Sequence, residues 1–205
     1  MSHVRVFHGM TDGPPVDVYF NRRMLGSHIA HGGFTDYEEF EPGDYSVSVY
    51  HAGRYDYPIY STSVTIPLSS IYTYTLSGYF PRVVLLPVCD SCNILQPTAS
   101  NVCVRFVHLS HDCGTLDVSC DTCRNTLWSG CDYGYIGDYV HVRPGTHTFY
   151  FNNSGSSSTI LTVPNATLTP NRYYTVYAAG SRSHNDHTLR AHIPLDGGSY
   201  IRYHR

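Results

Sequence analysis

The sequence repeats itself, and this internal duplication constrains the fold more than any other feature. The segment Val4–His8 returns as Val104–His108, at an offset of 100 residues. Further along, the pair Asp36-Tyr37 returns as Asp138-Tyr139, at an offset of 102. The chain therefore contains two homologous repeats, and the second carries two extra residues between positions 117 and 139.

A repeat of about 100 residues can bury a hydrophobic core of its own, unlike the short repeats of a solenoid. We therefore predict two domains of ordinary size joined by a linker. The first β-sandwich repeat is expected to span residues 1–88, a cysteine-containing linker residues 89–100, and the second repeat residues 101–205.

Apolar and polar residues alternate along most of the chain. Val16, Val18 and Phe20 would share one face of a strand, with Asp17 and Tyr19 on the other face. Such alternation predicts half-buried antiparallel strands. Turn residues separate these segments at short intervals, and no stretch has a helical pattern. About seven short strands per repeat are typical of an immunoglobulin-like sandwich, so the predicted fold is all-β, with two tandem immunoglobulin-like antiparallel β-sandwich domains.

The composition indicates a surface that meets partners. Only 14% of the residues are charged, against about 25% in an average soluble protein. None of the 13 basic residues is a lysine, whereas tyrosine occurs 19 times. Tyrosine is enriched and lysine depleted where proteins contact one another. Compositional drift in an aromatic-rich β protein is the alternative explanation.

Charge and hydropathy exclude two classes of partner. The formal net charge is -3 and the arginines are dispersed, so we expect no nucleic-acid partner, which would select a basic face. No apolar window is long enough for a membrane span. Met1–Arg5 leads directly into the first strand, without a recognisable signal peptide. The expected location is extracellular or on a spore or cell surface, reached without a signal peptide or with a leader absent from this sequence.

Several short motifs carry a resemblance to a known family. They are Val4–His8, Asp12, the strand Val16–Tyr19, the pair Asp36-Tyr37, the hairpin Pro42–Val47 and the strand Tyr72–Tyr74. In these motifs the chain resembles the bacterial family called domain of unknown function 4397, over nearly its whole length and more closely in the first repeat. The resemblance implies a β-sandwich, commonly present in tandem on exported or cell-surface proteins. It implies no reaction, cofactor or catalytic residue.

The cysteines are confined to one stretch, residues 89–131. All are disulfide candidates: Cys89, Cys92, Cys103, Cys113, Cys120, Cys123 and Cys131. Disulfides in an oxidising setting are the favoured interpretation of such a cluster. A zinc site formed by Cys89-x2-Cys92 with Cys120-x2-Cys123 is the alternative, although the gap between the pairs exceeds that of a zinc ribbon. Inert free thiols are the third possibility.

An odd number of cysteines leaves one thiol over in a monomer that pairs all the others. Cys89 and Cys92 lie in or beside the linker and are the expected partners for a bond to another chain. Cys120 takes an inward strand position, and we expect it to pair within its own domain.

Histidines and carboxylates offer weaker candidates. His8 and His108 each follow the first strand of a repeat, near aspartates, and because both repeats share this arrangement we expect a structural hydrogen bond to loop backbone. The C-terminal His184–His187 segment and His192 could bind a metal fortuitously. The sequence has no nucleophile elbow, phosphate loop or His-Glu-x-x-His motif. We therefore predict no catalytic residue, no cofactor and no native metal site.

Two functional hypotheses follow. The leading one is a structural, self-assembling surface protein: a fibre, appendage or spore-coat component that forms homo-oligomers or filaments with disulfide-locked contacts. In it, Tyr19 is a possible assembly contact. The alternative is an adhesive or carbohydrate-binding surface module, in which exposed tyrosines stack on sugar rings. Its candidates are Tyr55, Tyr57 and Tyr60.

Overall fold

The computed structural model describes residues 1–91, 95–123, 125–183 and 188–201. These residues form sixteen β-strands and one short 3-10 turn, Gly197–Ser199, so the predicted all-β class is confirmed. The described residues divide into two compact units: the first consists of residues 1–91 with Ile201, and the second of the described residues from 95 to 200. Among the described residues, no helix has the length and hydropathy needed to cross a membrane.

The first unit is a sandwich of two four-stranded sheets. Its strands are β1 Ser2–His8, β2 Val16–Phe20, β3 Arg23–Ile29, β4 Glu38–Phe40, β5 Gly43–His51, β6 Tyr60–Ile66, β7 Ile71–Tyr79 and β8 Arg82–Cys89. One sheet has the order β4-β1-β7-β8 and the other β3-β2-β5-β6. Val4 and Leu76 from the first sheet pack with Val18 and Val49 from the second, all fully buried. The alternating apolar positions therefore face a shared core.

The second unit repeats this arrangement strand for strand. Its strands are β9 Val102–His108, β10 Leu116–Cys120, β11 Trp128–Cys131, β12 Val140–Val142, β13 Gly145–Asn153, β14 Thr159–Leu168, β15 Tyr173–Ala179 and β16 Arg190–His192. The sheet orders are β12-β9-β15-β16 and β11-β10-β13-β14. Val104 and Val176 pack against Val118 and Phe151 in a core of its own. The prediction of two tandem sandwiches is confirmed.

One strand pair in each unit corrects the expectation of antiparallel strands throughout. β1 pairs with β7 in parallel, with Val4 opposite Tyr72, and β9 pairs with β15 in parallel, with Val104 opposite Tyr174. Parallel neighbours need a long connection, which five intervening strands supply in each repeat. Hydrophobic alternation reports which face of a strand is buried and is the same for either direction of pairing, so it could not show this.

A buried polar network on the outer side of β1 explains part of the family motif. The Arg5 guanidinium donates to Thr73 Oγ1 at 2.8 Å and lies 4.5 Å from the Tyr37 ring centre. Thr73 and Tyr37 both donate to Asp90 Oδ2, at 2.6 and 2.7 Å. The second unit has the same network, with equivalent contacts at 2.7 to 2.8 Å, made by Arg105, Thr175, Tyr139 and Asp196. The Asp-Tyr motif thus supplies the tyrosine that satisfies a buried carboxylate.

Candidate functional site

The outer face of the β3-β2-β5-β6 sheet carries a cluster of tyrosines. Tyr19 on β2 lies opposite Ser48 on β5, and Asp17 lies opposite Tyr50. Because Val18 and Val49 point into the core, their neighbours Tyr19 and Tyr50 point outward. Their ring centres are 5.7 Å apart and nearly perpendicular, an edge-to-face contact.

A third tyrosine comes from the loop after β5. Tyr55 lies 6.1 Å from Tyr19 and 5.9 Å from Tyr50, measured between ring centres, and 54% of its surface is exposed. Its hydroxyl donates to Asp17 Oδ2 at 2.9 Å. This hydrogen bond to a carboxylate raises the pKa of Tyr55 to about 12. We call Tyr19, Tyr50 and Tyr55 the tyrosine surface.

Asp17 holds the loop that carries Tyr55. It is buried, and it accepts hydrogen bonds from the backbone N–H groups of His28 at 2.7 Å and Gly53 at 2.9 Å. Burial alone would raise the pKa of this carboxyl, but these two bonds and the Tyr55 hydroxyl hold it below its usual value. Asp17 is therefore a carboxylate at neutral pH, and it fixes the position of Tyr55 against the sheet.

The tyrosine surface lines a shallow depression of about 240 Å³ together with Asn21 and Ser48. Asn21 Oδ1 accepts a hydrogen bond from the Ser46 backbone N–H at 2.9 Å, which orients the amide. The depression thus combines three aromatic rings with a neutral amide and a hydroxyl, the mixture expected of a site that binds a polar ligand with apolar faces.

Only one of the three tyrosines proposed for sugar contact belongs to this surface. Tyr55 does; Tyr57 is 85% exposed but does not line the depression, and Tyr60 packs against the core of the first unit. Tyr19, expected as an assembly contact, lies in the depression. Sequence reasoning missed Tyr50, although it shares the outward alternation of Ser46 and Ser48.

The disulfide candidates among the described residues fall into two groups. Cys120 and Cys123 form a disulfide, and Cys89, the last residue of β8, is also disulfide-bonded. Cys103, Cys113 and Cys131 are instead buried thiols. Burial raises the pKa of the Cys103 and Cys131 thiols to about 11, so they remain protonated and unreactive, as small apolar core residues do. Cys92 lies outside the described residues.

His8 and His108 contact equivalent turns, each in its own repeat. His8 Nε2 lies 3.0 Å from the Pro14 carbonyl oxygen, and His108 Nε2 lies 2.9 Å from that of Gly114. A carbonyl oxygen can only accept, so Nε2 carries the proton in both rings. The predicted hydrogen bond to loop backbone is confirmed. His192 ends β16, and residues 184–187 lie outside the described part of the chain.

Fold and site together define a tandem β-sandwich protein with an aromatic, polar surface depression on its first unit. The sequence model described as "Domain of unknown function (DUF4397)" matches residues 2–119, which include β1 to β9 and all but the last residue of β10. The chain therefore belongs to this family, as its motifs predicted.

No curated protein sequence matches this chain. Among solved structures, it is similar to the crystal structure of CBMbc, a family CBM26 module from Eubacterium rectale Amy13K in complex with maltoheptaose. The identity is 10% and the TM-score 0.28, over 94% of this chain and 98% of that one. A TM-score this low supports no inference about what this chain binds.

Proposed function

We propose that the protein is a non-catalytic, carbohydrate-binding surface module that recognises its ligand through the tyrosine surface. The observation that carries this proposal is the joint placement of Tyr19, Tyr50 and Tyr55 around one depression with Asn21 and Ser48. We place its action outside the cell, where polysaccharides are exposed.

A sugar ring presents two kinds of surface, and the depression offers a partner for each. The C–H groups on a face of a pyranose are apolar and stack on an aromatic ring, whose face is electron-rich. The hydroxyl groups at the edge of the sugar need donors and acceptors, which the Asn21 amide, the Ser48 hydroxyl and the tyrosine hydroxyls can provide. None of these groups is charged at neutral pH, so the surface suits a neutral glycan.

The site is also ordered before a ligand arrives. Tyr55 is held by Asp17 at 2.9 Å, and all three rings contact one another edge to face. Tyrosine has few rotatable bonds, and fixing a side chain in advance reduces the entropy lost on binding. A loose tyrosine such as Tyr57, which is 85% exposed, has no such advantage.

The self-assembling fibre or coat protein has less specific support in the described residues. Disulfide bonds between chains would need an accessible thiol, yet Cys103, Cys113 and Cys131 are buried. Cys120 and Cys123 bond to each other, and Cys89 is disulfide-bonded. Tyr19 could still be an assembly contact, so the experiment below distinguishes the two functions.

The proposal is tested by binding to neutral polysaccharides. Affinity electrophoresis in gels containing starch, cellulose derivatives, mannan or soluble chitin derivatives would identify a ligand, and calorimetry with its oligosaccharide would give the dissociation constant. Loss of one stacked ring is expected to weaken binding about 5-fold in Tyr50→Ala, because an aromatic contact contributes about 1 kcal/mol. Tyr57→Ala is the matched control, an exposed tyrosine outside the depression, and should bind as wild type does.

Two results would contradict the proposal. The first is equal binding by wild type, Tyr50→Ala and Tyr19→Ser. The second is the absence of retardation by every polysaccharide while wild type self-associates in sedimentation velocity and Tyr19→Ser does not. That second pattern would support the assembly hypothesis and make Tyr19 a contact between chains.

A further inference from the structure

A second cluster of chemically active side chains lies in the second unit, at the end of β10. The Cys120–Cys123 disulfide closes the turn that follows this strand, with a Cα–Cα distance of 5.1 Å. One potential ligand atom each from Cys120, Asp121 and His147 lie within 4.8 Å of one another. Cys123 is covalently joined to this group, which brings two sulfurs, an imidazole and a carboxylate together.

Hydrogen bonds fix the orientation of the His147 ring. The ring is buried, and its Nε2 lies 2.8 Å from the Arg143 carbonyl oxygen, so Nε2 carries the proton in the neutral ring. Nδ1 then has the lone pair: it accepts a hydrogen bond from the Thr122 hydroxyl at 2.8 Å, which a cation would displace, and it lies 3.7 Å from Asp121 Oδ1. Metal-binding histidines are fixed in this way, with one nitrogen donating to a carbonyl and the other facing the metal.

The first repeat shows that the fold does not need these residues at this place. By the repeat offsets, Phe20 corresponds to Cys120 and Tyr45 to His147. In the first unit, Phe20, Phe40 and Tyr45 form an aromatic cluster with ring centres 5.3 to 6.4 Å apart. The same position therefore holds hydrocarbon in one repeat and ligand atoms in the other, which a purely structural role would not require.

The cluster can be reached from solvent. Cys123 and Thr122 line a surface depression of about 480 Å³, together with residues 125–127 and 140–143. Asp121 is exposed.

We propose that Cys120, Cys123, His147 and Asp121 form a redox-gated site for a thiophilic divalent cation of the zinc class. Two sulfurs, one imidazole nitrogen and one carboxylate oxygen are the donor set of a four-coordinate zinc site. In the disulfide, neither sulfur is a thiolate and the site is closed. This site is independent of the tyrosine surface, which lies in the other unit.

Opening the site is a thiol–disulfide exchange. Two molecules of a small thiol reduce the Cys120–Cys123 bond through a mixed disulfide, yielding two protein thiols and one oxidised small-molecule disulfide. The cation then replaces the two thiol protons, which are released to solvent. Oxidation by a small-molecule disulfide reverses both steps and expels the cation.

The test measures metal content and spectrum in both redox states. The protein is reduced with a phosphine, desalted without oxygen and titrated with Co²⁺ alone. We expect one equivalent of Co²⁺, with the sulfur-to-cobalt charge-transfer and tetrahedral d–d absorption bands, and displacement by one equivalent of Zn²⁺. The oxidised protein should show no thiolate bands.

Matched variants decide whether these residues are the ligands. His147→Tyr installs the residue that the first repeat has at this position, and Cys123→Ser removes one sulfur. Each of these two single variants should abolish stoichiometric Co²⁺ binding. Cys131→Ala removes a thiol at the opposite end of the β10–β11 pair and should bind as wild type does. Trp128, buried in the same unit, reports by fluorescence whether each variant is folded.

The proposal is overturned if Co²⁺ added to the reduced wild type produces no thiolate charge-transfer bands. It is also overturned if the two single variants His147→Tyr and Cys123→Ser, while folded, still bind one equivalent of Co²⁺. Binding that is equal in the oxidised and reduced protein would also overturn it, because the thiolates would then not be ligands.

Discussion

The two repeats share one scaffold and differ in what it presents. Both place an arginine, a threonine and a tyrosine around a buried aspartate, and both tie a histidine to the same turn. In both, an aspartate on the second strand accepts backbone N–H groups: Asp17 from Gly53, and Asp117 from Gly130 and Gly155. These shared contacts belong to the common scaffold.

The differences lie at outward positions and at a strand end. Where the first repeat has Tyr19 and Tyr50, the strand register of the second places Ser119 and Asn152. Where the first has an aromatic cluster, the second has Cys120 and His147. The two repeats thus share most of their core positions, whereas the first has outward tyrosines and the second has Cys120 beside His147. Each repeat serves as the natural control for the other.

The largest predicted effect tests whether each repeat has its own core. Val18 and Val118 are fully buried, and aspartate at either position would bury an unpaired carboxylate, at a cost of about 4 kcal/mol or more. Val118→Asp should therefore unfold the second unit. Val18→Asp should unfold the first and leave the second folded. Trp128 emission, which comes from the only tryptophan, should shift to the red in Val118→Asp alone.

A red shift of Trp128 in Val18→Asp would show that the two cores are not independent. Tyr19→Ser, at the neighbouring outward position, should leave the unfolding free energy nearly unchanged. Equal damage from Tyr19→Ser and Val18→Asp would mean that the two faces of β2 are misassigned.

The second prediction compares the buried networks. Asp90→Ala removes the acceptor of the Thr73 and Tyr37 hydroxyls, and should lower the unfolding free energy of the first unit by about 3 kcal/mol. Asp196→Ala should cost the second unit a similar amount, because its contacts are equivalent. Denaturant unfolding followed by hydrogen exchange would assign each loss to its unit.

Asp36→Ala is the control for this comparison. Asp36 belongs to the same family motif but is exposed, so its loss should change stability by no more than about 0.5 kcal/mol. If Asp36→Ala and Asp90→Ala were equally damaging, the network would not be the reason for the motif.

The sequence predicts those parts of the structure that depend on local pattern. Alternation around Val18 identifies the core and the outward face, and the duplication predicts two similar sandwiches. The parallel pairing of β1 with β7 could not be predicted in this way, because it depends on how distant strands meet. For the same reason, the return of the loop that brings Tyr55 to Asp17 could not be predicted.

The proposed metal site around Cys120 and His147 could be predicted only in part. The repeat offsets align His147 with Tyr45 and Cys120 with Phe20, so the sequence contains the exchange of an aromatic pair for ligand atoms. Its significance appears only when the structure shows that Phe20 and Tyr45 touch. Cysteine spacing also indicates Cys120 and Cys123 as a pair, but it combines them with Cys89 and Cys92 rather than with Asp121 and His147, because spacing carries no information on contacts between strands.

The smallest predicted effect concerns the Tyr55–Asp17 hydrogen bond, which the second repeat lacks. Tyr55→Phe should lower the stability of the first unit slightly at neutral pH. The pKa of Tyr55 is raised from 10.0 to about 12 in the folded protein, so folding favours the protonated hydroxyl. The contribution of this bond is therefore complete below about pH 10 and is lost as the pH rises toward 12. Since the pKa of Asp17 is depressed, the contribution is also lost in acid, as the carboxylate is protonated.

Urea unfolding of wild type and Tyr55→Phe from pH 4 to 12 tests this. The difference between their unfolding free energies should be flat near neutrality and should shrink above pH 10. A difference that persists unchanged at pH 12 would show that the hydrogen bond from the protonated Tyr55 hydroxyl to Asp17 is not its source.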